Sequence, residues 1–275
     1  MAIKEILAPV VSVADDEPAL AAAVQLAAQY SAHAVALVVA VHAGSALAEE
    51  QASLSEVLTD VAGGGRAAAR ARADIAAWIE RAAVRFDVRD VTAEAALYER
   101  EVLAHGQCAD LIVLARGDDR AHRQLFQALL FGSGRPLLLM PPAWAPGQLG
   151  QRVLVAWDAK RAAARAVHDA LPMLVAADEV VVATVDAKPT SSGHGEAPGR
   201  EIAAHLARHR VNAQVRNLDS MGRSVERALL DEALSTGADM IVMGGYGHPR
   251  AQEILFGGVT RALSAEAPLP LLLSH

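Results

Sequence analysis

The stretch Met243-Gly244-Gly245-Tyr246-Gly247-His248-Pro249-Arg250 follows a short apolar run, 238–243, near the end of the chain. Such a run is typical of a buried parallel strand. Glycines directly after a strand can expose backbone N–H groups and let a ligand approach closely. A helical apolar pattern follows over 254–263, and Gly257-Gly258 interrupts it, which weakens a helix. A bound phosphate held by backbone amides would compensate for that weakness.

The chain is long enough for two domains and apolar enough to fill their cores. It has 275 residues, of which 53% are hydrophobic and 21% charged, so it is not disordered. Its net charge of −7 disfavours nucleic acid and anionic membranes, since both bind basic surfaces. A strand pattern begins within the first residues, and no apolar run approaches the length of a membrane span. We therefore expect a cytoplasmic protein without a nucleic-acid or membrane partner.

Cysteine and histidine give little support for metal binding or catalysis. Cys108 is the only cysteine, which excludes an internal disulfide and a cysteine-based metal cluster, and we expect it to be a packed thiol. Glu201, His205 and His209 are spaced four apart on a predicted helix and would share one face. The surrounding sequence is polar and lacks a fourth ligand, so we predict a solvated face and no metal. No nucleophile elbow is present, and no catalytic residue is predicted.

Strand and helix patterns alternate in two successive series. Strands are predicted at 6–11, 34–42, 88–93, 111–115 and 137–140, and again at 152–158, 180–185, 213–218, 238–243 and 269–274. Helical sequence lies between them, including 48–86, which Gly63-Gly64-Gly65 breaks, and 189–198 is a predicted loop. This alternation implies parallel sheets with right-handed crossovers. A proline-rich stretch sets the predicted boundaries: a first domain at 1–142, a linker at 143–150 and a second domain at 151–275.

The two series read as internal repeats. Asp110 and the apolar run after it match Asp239 and its run, and Arg135-Pro136 before a leucine run matches Leu269-Pro270. The last strand of each series is apolar on both faces, and an exposed apolar edge is an aggregation hazard. We therefore expect these strands to cover each other in an internal pseudo-dimer of the two domains. A homodimer of chains is a further alternative that this argument does not require.

The glycine spacing resembles a known signature. Gly244, Gly247 and Gly257 follow the pattern Gly-x2-Gly-x9-Gly, and Gly258 comes next. This resembles the nucleotide-binding signature of the universal stress protein family, which has serine or threonine where Gly258 stands. Glycines also serve turn geometry alone, but four at this spacing favour the ligand interpretation. The resemblance covers both halves and implies the tandem type: an α/β fold with two consecutive open-twisted parallel-sheet, Rossmann-like (adenine nucleotide alpha hydrolase-like) domains, each of about five strands flanked by helices.

In the second half the resemblance implies most of a nucleotide site. Asp158 resembles the aspartate that accepts hydrogen bonds from both ribose hydroxyls, although an N-cap for the next helix is an alternative role. The backbone at Val185 would meet the adenine edge and Met243 would pack near the base, although both also fit plain core packing. The implied nucleotide-binding residues are Ala156, Trp157, Asp158, Val185, Met243, Gly244, Gly247, Gly257, Gly258, Val259 and Thr260.

The first half departs from this pattern. Its first strand ends in valine, at Val10-Val11, where the aspartate belongs. Asp118-Asp119 follow its fourth strand and place two carboxylates where phosphate would lie. The segment between the fourth and fifth strands is also five residues shorter than in the second half. We therefore predict that the first domain is a degenerate partner that binds no nucleotide.

Three functions remain open at this point. The leading hypothesis is a nucleotide-binding regulatory protein of the stress response, with ATP, alone or with Mg²⁺, held by the second domain. The alternative is a protein of the same fold that binds no nucleotide and acts through an unknown protein partner, because Gly258 removes a hydroxyl ligand. The third is a slow ATP hydrolase, which is disfavoured because no residue is clearly placed to activate water.

Overall fold

A computed structural model of the chain describes residues 2–42, 69–81, 86–94, 98–189, 196–245 and 258–275. The predicted break at Gly63-Gly64-Gly65, the centre of the predicted loop at 189–198 and most of the glycine stretch lie outside these residues. The elements in chain order are β1 (Glu5–Val10), α1 (Val13–Tyr30), β2 (His33–His42), α2 (69–81), β3 (Asp87–Glu94), α3 (Tyr98–Gln107), β4 (Leu111–Ala115), α4 (Arg120–Gly132), β5 (Leu137–Met140), β6 (Arg152–Ala156), α5 (Arg161–Ala176), β7 (Glu179–Val185), α6 (Arg200–Arg208), β8 (Ala213–Leu218), α7 (Val225–Ser235), β9 (Met240–Gly244), α8 (Gly258–Glu266) and β10 (Leu271–Ser274).

The chain divides into two compact units. One is Ile3–Arg135, and the other is Pro136–His275 together with Met1–Ala2. The division therefore falls before β5, whereas the sequence places the boundary after it, at residue 142. The reason is that β5 pairs antiparallel with β10, with Leu137 opposite Leu273 and Leu139 opposite Leu271. The two repeat-ending strands thus cover each other's edges, as expected from their apolar faces.

The first unit contains a parallel sheet in the order β3-β2-β1-β4. Helix α1 packs against β1, β2 and β4, and α3 packs against β1, β2 and β3. Because helices cover the sheet, its central strands are buried nearly throughout; all five residues of β4 are buried. The chain moves from β1 to β2 and β3 on one side and returns to β4 on the other.

The second unit repeats this plan with two more strands, in the order β5-β10-β9-β6-β7-β8. Strands β6 to β10 are parallel, and β5 is the antiparallel exception. The predicted α/β fold with two successive parallel-sheet halves is confirmed. None of the described helices is long and apolar enough to cross a membrane.

In each unit, an aspartate at the corresponding position connects two neighbouring strands by hydrogen bonds. Asp110 Oδ2 accepts hydrogen bonds from the backbone N–H groups of Lys4 and Glu5, at 2.8 and 3.0 Å. Asp239 accepts from Gly150, Gln151 and Arg152, at 2.7 to 3.0 Å. Each aspartate directly precedes a strand and holds the beginning of the neighbouring strand. The repeat inferred from Asp110 and Asp239 therefore has a structural counterpart.

Two local predictions need correction. The predicted strand 152–158 ends at Ala156, which leaves Trp157 and Asp158 in the connection to α5. Cys108 is exposed and not packed, because α3 ends at Gln107 and the thiol lies in the turn that follows.

Candidate functional site

The candidate site lies between β6 and β9, where the strand order in the sheet of the second unit reverses. The chain leaves β6 for β7 on one side and later returns to β9 on the other. Ligands of open parallel sheets bind at such a switch point, outside the carboxyl ends of the strands. Asp158 follows β6, Gly244 ends β9, and the pairing of Ala156 with Met243 brings these strand ends side by side. Two of the residues implied by the resemblance therefore flank the switch point.

Asp158 presents a carboxylate at this edge. Its side chain is 52% exposed, its Oδ1 accepts a hydrogen bond from the Lys160 N–H at 3.0 Å, and its Oδ2 lies 3.3 Å from Lys160 Nζ. Lys160 itself is the N-cap of α5, and no side chain caps that helix. Asp158 therefore supports the residue before α5 and is not its N-cap. An exposed carboxylate retains lone pairs for further hydrogen bonds, such as those from a diol.

The connections after β6, β7 and β8 each contain a residue in the left-handed region. These are Ala159, Asp186 and Met221, with φ of 56°, 49° and 51°. The other two such non-glycine residues in the described ranges, Ser31 and Arg210, follow helix ends, where this conformation is common. Left-handed backbone at a non-glycine residue costs on the order of 1 kcal/mol or more and gathers at ligand sites. Three instances at one sheet edge support a binding role for that edge.

Asp186 is a residue of this edge that the sequence reasoning did not identify. Its Oδ1 accepts a hydrogen bond from the Ser220 N–H at 2.9 Å, which ties the connection after β7 to the one after β8. The hydrogen bonds from Ser220, first from its side chain and then from its backbone, lower the pKa of Asp186. A turn-forming aspartate directly after the apolar run of β7 was the available signal. Val185, the predicted adenine contact, is half-buried beside it.

Met243 is part of the buried core, and its neighbours at the ends of β6 and β9 are partly exposed. Met243 is only 4% exposed, and its register partner Ala156 is half-buried. Trp157 extends the ladder beyond β6, because its N–H donates to the Ala183 carbonyl at 2.8 Å. Register partners in a parallel pair point to the same face, so Ala156 and Met243 share one face of the sheet. Core packing alone therefore accounts for Met243 in this structure.

Gly244 has a packing role independent of any ligand. A Cβ added at this position would lie 2.5 Å from the Ala163 nitrogen and 2.6 Å from the Ala162 carbonyl carbon. Both atoms belong to the backbone of the first turn of α5, which cannot move aside without shifting the helix. The absence of a side chain at Gly244 therefore allows α5 to begin directly over the end of β9.

The remaining predicted residues begin α8. Gly258 is the first described residue of this helix and is exposed, Val259 is half-buried, and Thr260 is 5% exposed. A Cβ added at Gly258 would meet no atom of the described residues within 4 Å. Gly247 and Gly257 lie outside the described residues.

The corresponding edge of the first unit is arranged differently. Asp16, on the first turns of α1, is fully buried, and its Oδ2 accepts hydrogen bonds from the Val11 and Ser12 N–H groups at 2.7 and 3.0 Å. Its Oδ1 lies 3.0 Å from Nε2 of His122, which is 2% exposed. His122 Nδ1 contacts Asp119 Oδ2, and Asp119 Oδ1 caps α4 by accepting from the His122 N–H at 3.1 Å.

Hydrogen bonds among these three side chains shift the pKa values of His122 and Asp119. The hydrogen bond to Asp16 raises the pKa of His122 to about 9, against the opposing effect of burial. Burial alone would raise the pKa of Asp119, but hydrogen bonds from the backbone and ring of His122 outweigh it and hold that pKa below its usual value. The raised pKa of His122 favours the imidazolium form of the ring, which contacts the carboxyl groups of Asp16 and Asp119. Of these three residues, only Asp119 stands out in the sequence pattern, and no spacing or motif indicates Asp16 or His122.

The helix face considered for metal binding carries a contact between two histidines. The rings of His205 and His209 lie 4.8 Å apart between centroids and are tilted by 58°. Within the described ranges, no group of three or more histidine, cysteine or acidic side chains could hold a metal ion.

Comparisons with known proteins agree with this architecture. Residues 150–275 match the sequence model of the universal stress protein family. A universal stress protein from Archaeoglobus fulgidus DSM 4304 is similar over 98% of this chain and 97% of its own, with a TM-score of 0.73 and 16% identity. A putative universal stress protein from Pseudomonas aeruginosa UCBPP-PA14 is similar over 99% of this chain and 93% of its own, with a TM-score of 0.56 and 16% identity.

At 16% identity these structures establish a shared fold and no shared ligand. A comparison with curated protein sequences gave no significant match. The sequence match and the shared fold are nevertheless consistent with each other, since the matched segment begins at Gly150, where Asp239 holds the start of β6. Residues 150–275 therefore form a domain that matches the universal stress protein family, and the chain shares the fold of these solved structures over nearly its whole length.

Proposed function

We propose that this protein is an adenine-nucleotide-binding regulatory protein, and that its second unit holds one ATP at the carboxyl ends of β6, β7 and β9. The observation that carries the proposal is the placement of Asp158 and Gly244 on the two sides of the β6–β9 switch point. Open parallel sheets bind nucleotides at such points. The half-exposed Asp158 carboxylate suits a ribose diol, because it accepts two hydrogen bonds and donates none.

The phosphates would extend from the ribose toward the beginning of α8. Gly258, the first described residue of this helix, is exposed, and a helix dipole favours negative charge near the N-terminal end of a helix. Lys160, whose Nζ lies 3.3 Å from Asp158, is a cation at the same edge. With a net charge of −7 on the chain, such local donors and cations are needed to attract a polyanion.

Two assays test the proposal directly. Native mass spectrometry of the purified protein should show a mass increment from bound nucleotide, and calorimetric titration of the nucleotide-free chain with ATP should show saturable binding. Absence of binding in both would refute the proposal and favour the family fold acting through protein contacts alone.

Asp158→Ala is the matched test of the ribose contact. It removes two charge-assisted hydrogen bonds, each worth about 1.5–3 kcal/mol, so ATP affinity should fall by at least about tenfold. Asp178→Ala is the control, since it removes an exposed aspartate directly before β7, at the opposite edge of the sheet. Equal affinities for wild type, Asp158→Ala and Asp178→Ala would mean that Asp158 only supports the start of α5.

A further inference from the structure

Three side chains bridge the switch point of the first unit. Strands β1 and β4 meet there, as β6 and β9 do in the second unit. Asp16 comes from the helix that follows β1, and His122 and Asp119 come from the start of the helix that follows β4. The contacts Asp16–His122 and His122–Asp119 therefore connect the two helices across the position where an open sheet would receive a ligand.

The Asp16 carboxylate uses the donors at this position. Its Oδ2 accepts from the backbone N–H groups of Val11 and Ser12, which lie between the end of β1 and the start of α1. Its Oδ1 faces His122 Nε2 at 3.0 Å. Two backbone donors and an imidazolium directed at one carboxylate form the kind of environment that also binds a small anion. Here the anion is part of the chain.

Packing keeps Asp16 and His122 away from solvent, whereas the Asp119 side chain is 52% exposed. Asp16 is 0% exposed and His122 is 2% exposed. A Cβ added at Gly117 would lie 2.5 to 2.9 Å from His122 Cγ, Nδ1 and Cβ, so the ring rests against the backbone after β4. A nucleotide phosphate would have to displace this ring and meet two carboxylates, and like charges at such range repel strongly.

We propose that Asp16, His122 and Asp119 form an internal lock that takes the place of a ligand in the first unit. The Asp16 carboxylate acts as the built-in anion, His122 is the bridging cation, and Asp119 orients His122 while it caps α4. The lock holds the beginnings of α1 and α4 together without a bound molecule and closes the switch point to nucleotides. It does not depend on whether the second unit binds ATP.

Removal of the built-in anion should leave a site that a small carboxylate can fill. In Asp16→Ala the Val11 and Ser12 N–H groups and the His122 ring lose their acceptor, so the thermal midpoint of the full chain should fall by about 10 °C. Formate at about 0.5 M should then raise that midpoint by about 3 °C more than chloride at the same concentration does. Propionate, which is too large for the vacated volume, should give no such gain.

The controls separate this rescue from general salt effects. Wild type and Asp15→Ala, which alters the exposed aspartate beside Asp16, should respond equally to formate and chloride. Nitrogen NMR of the histidine rings in the wild-type chain adds a readout that needs no variant, and both ring nitrogens of His122 should carry protons at pH 7.5. A neutral His122 ring, or an Asp16→Ala variant that formate stabilises no more than chloride does, would overturn the lock.

Discussion

The two units share one sheet plan and differ at the edge where that plan places a ligand. In the second unit, the aspartate at this edge lies in the connection just after β6, where Trp157 separates it from the strand, and Asp158 is half exposed. In the first unit, valine ends the strand, and the aspartate comes from α1 as the buried Asp16. The Asp158 carboxylate is accessible to hydrogen-bond donors of a ligand. The Asp16 carboxylate is buried and already accepts hydrogen bonds from the backbone N–H groups of Val11 and Ser12.

Under the proposed function, this difference separates an edge that is open to a ligand from an edge that the chain itself closes. A buried carboxylate is stable only if donors surround it, and the switch point of the first unit supplies them from Val11, Ser12 and His122. The second unit instead has left-handed backbone at Ala159, Asp186 and Met221 around its edge. Unfavourable backbone conformations persist when function or surrounding structure holds them in place. We interpret the first unit as complete without a ligand and the second as arranged to receive one.

The largest loss of stability is expected from substitution of the two glycines that lie in close contact with their surroundings at these edges, Gly244 and Gly117. Gly244→Ala would drive a Cβ into the backbone of α5, with 2.5 Å to the Ala163 nitrogen, and should cost about 3 kcal/mol or more of unfolding free energy. Gly117→Ala should be costly in the first unit for a different reason, since it displaces the His122 ring. Chemical denaturation measures both losses.

Gly258→Ala is the control for these substitutions. Gly258 is the first described residue of α8, and an added Cβ there meets no described atom within 4 Å, so the change should be neutral or stabilise the protein by up to about 1 kcal/mol. If Gly244→Ala were as well tolerated as Gly258→Ala, α5 would not begin over β9 as described.

A pH dependence should distinguish the first unit from the second. Because the folded-state pKa of His122 is raised from 6.5 to about 9, its stabilising contribution is complete below pH 6.5 and disappears as pH rises through about 9. The corresponding loss is on the order of 3 kcal/mol. Asp119, whose pKa is lowered, contributes above its unfolded-state pKa and loses its contribution as the solution becomes more acidic.

Urea denaturation between pH 5 and 10 measures this dependence, and His122→Gln is the comparison variant. Glutamine cannot become cationic, so the decline between pH 6.5 and 9 should be absent in His122→Gln. A wild-type chain with the same pH profile as His122→Gln would show that His122 is not charged in the folded protein.

A smaller effect, on ATP affinity, is expected at Gly258, where the second unit has glycine instead of the serine or threonine of the family signature. Gly258→Ser restores the hydroxyl, and its Cβ has open space. One neutral hydroxyl contact contributes about 1 kcal/mol, so ATP affinity should rise by less than about tenfold. Gly258→Ala should leave affinity unchanged in the same calorimetric titration. If ATP binds to Gly258→Ser and not to wild type, the departure at Gly258 has removed binding in the natural chain.

The sequence predicted the architecture better than the details of the edges. Continuous apolar runs were sufficient to place most strands along the chain, because strands of a parallel sheet are buried on both faces. The repeated Asp110 and Asp239 were sufficient to identify the two halves. The end of β6 was placed too late, since Trp157 is apolar and its N–H continues the ladder past the last strand residue. Cys108 was expected to be buried because an apolar run follows it, yet it lies in an exposed turn.

Residues joined across long sequence separations were the ones that could not be predicted. Asp16 and His122 are 106 positions apart, and no spacing pattern connects them. Asp16 stands between Asp15 and Glu17 near a helix start, where acids are common because they interact favourably with the helix dipole. The packing of Gly244 against Ala163 likewise depends on how α5 folds back over β9, which glycine spacing alone does not reveal.

The most direct test of the contrast between the two units is the stoichiometry of ATP binding. Calorimetric titration of the nucleotide-free, full-length chain should give one site per chain, and Asp158→Ala should weaken that site while the control Asp178→Ala should not. The result predicted here is a single site in the second unit, with the first unit closed by Asp16, His122 and Asp119. Two equivalent sites per chain, or one site unaffected by Asp158→Ala, would contradict it.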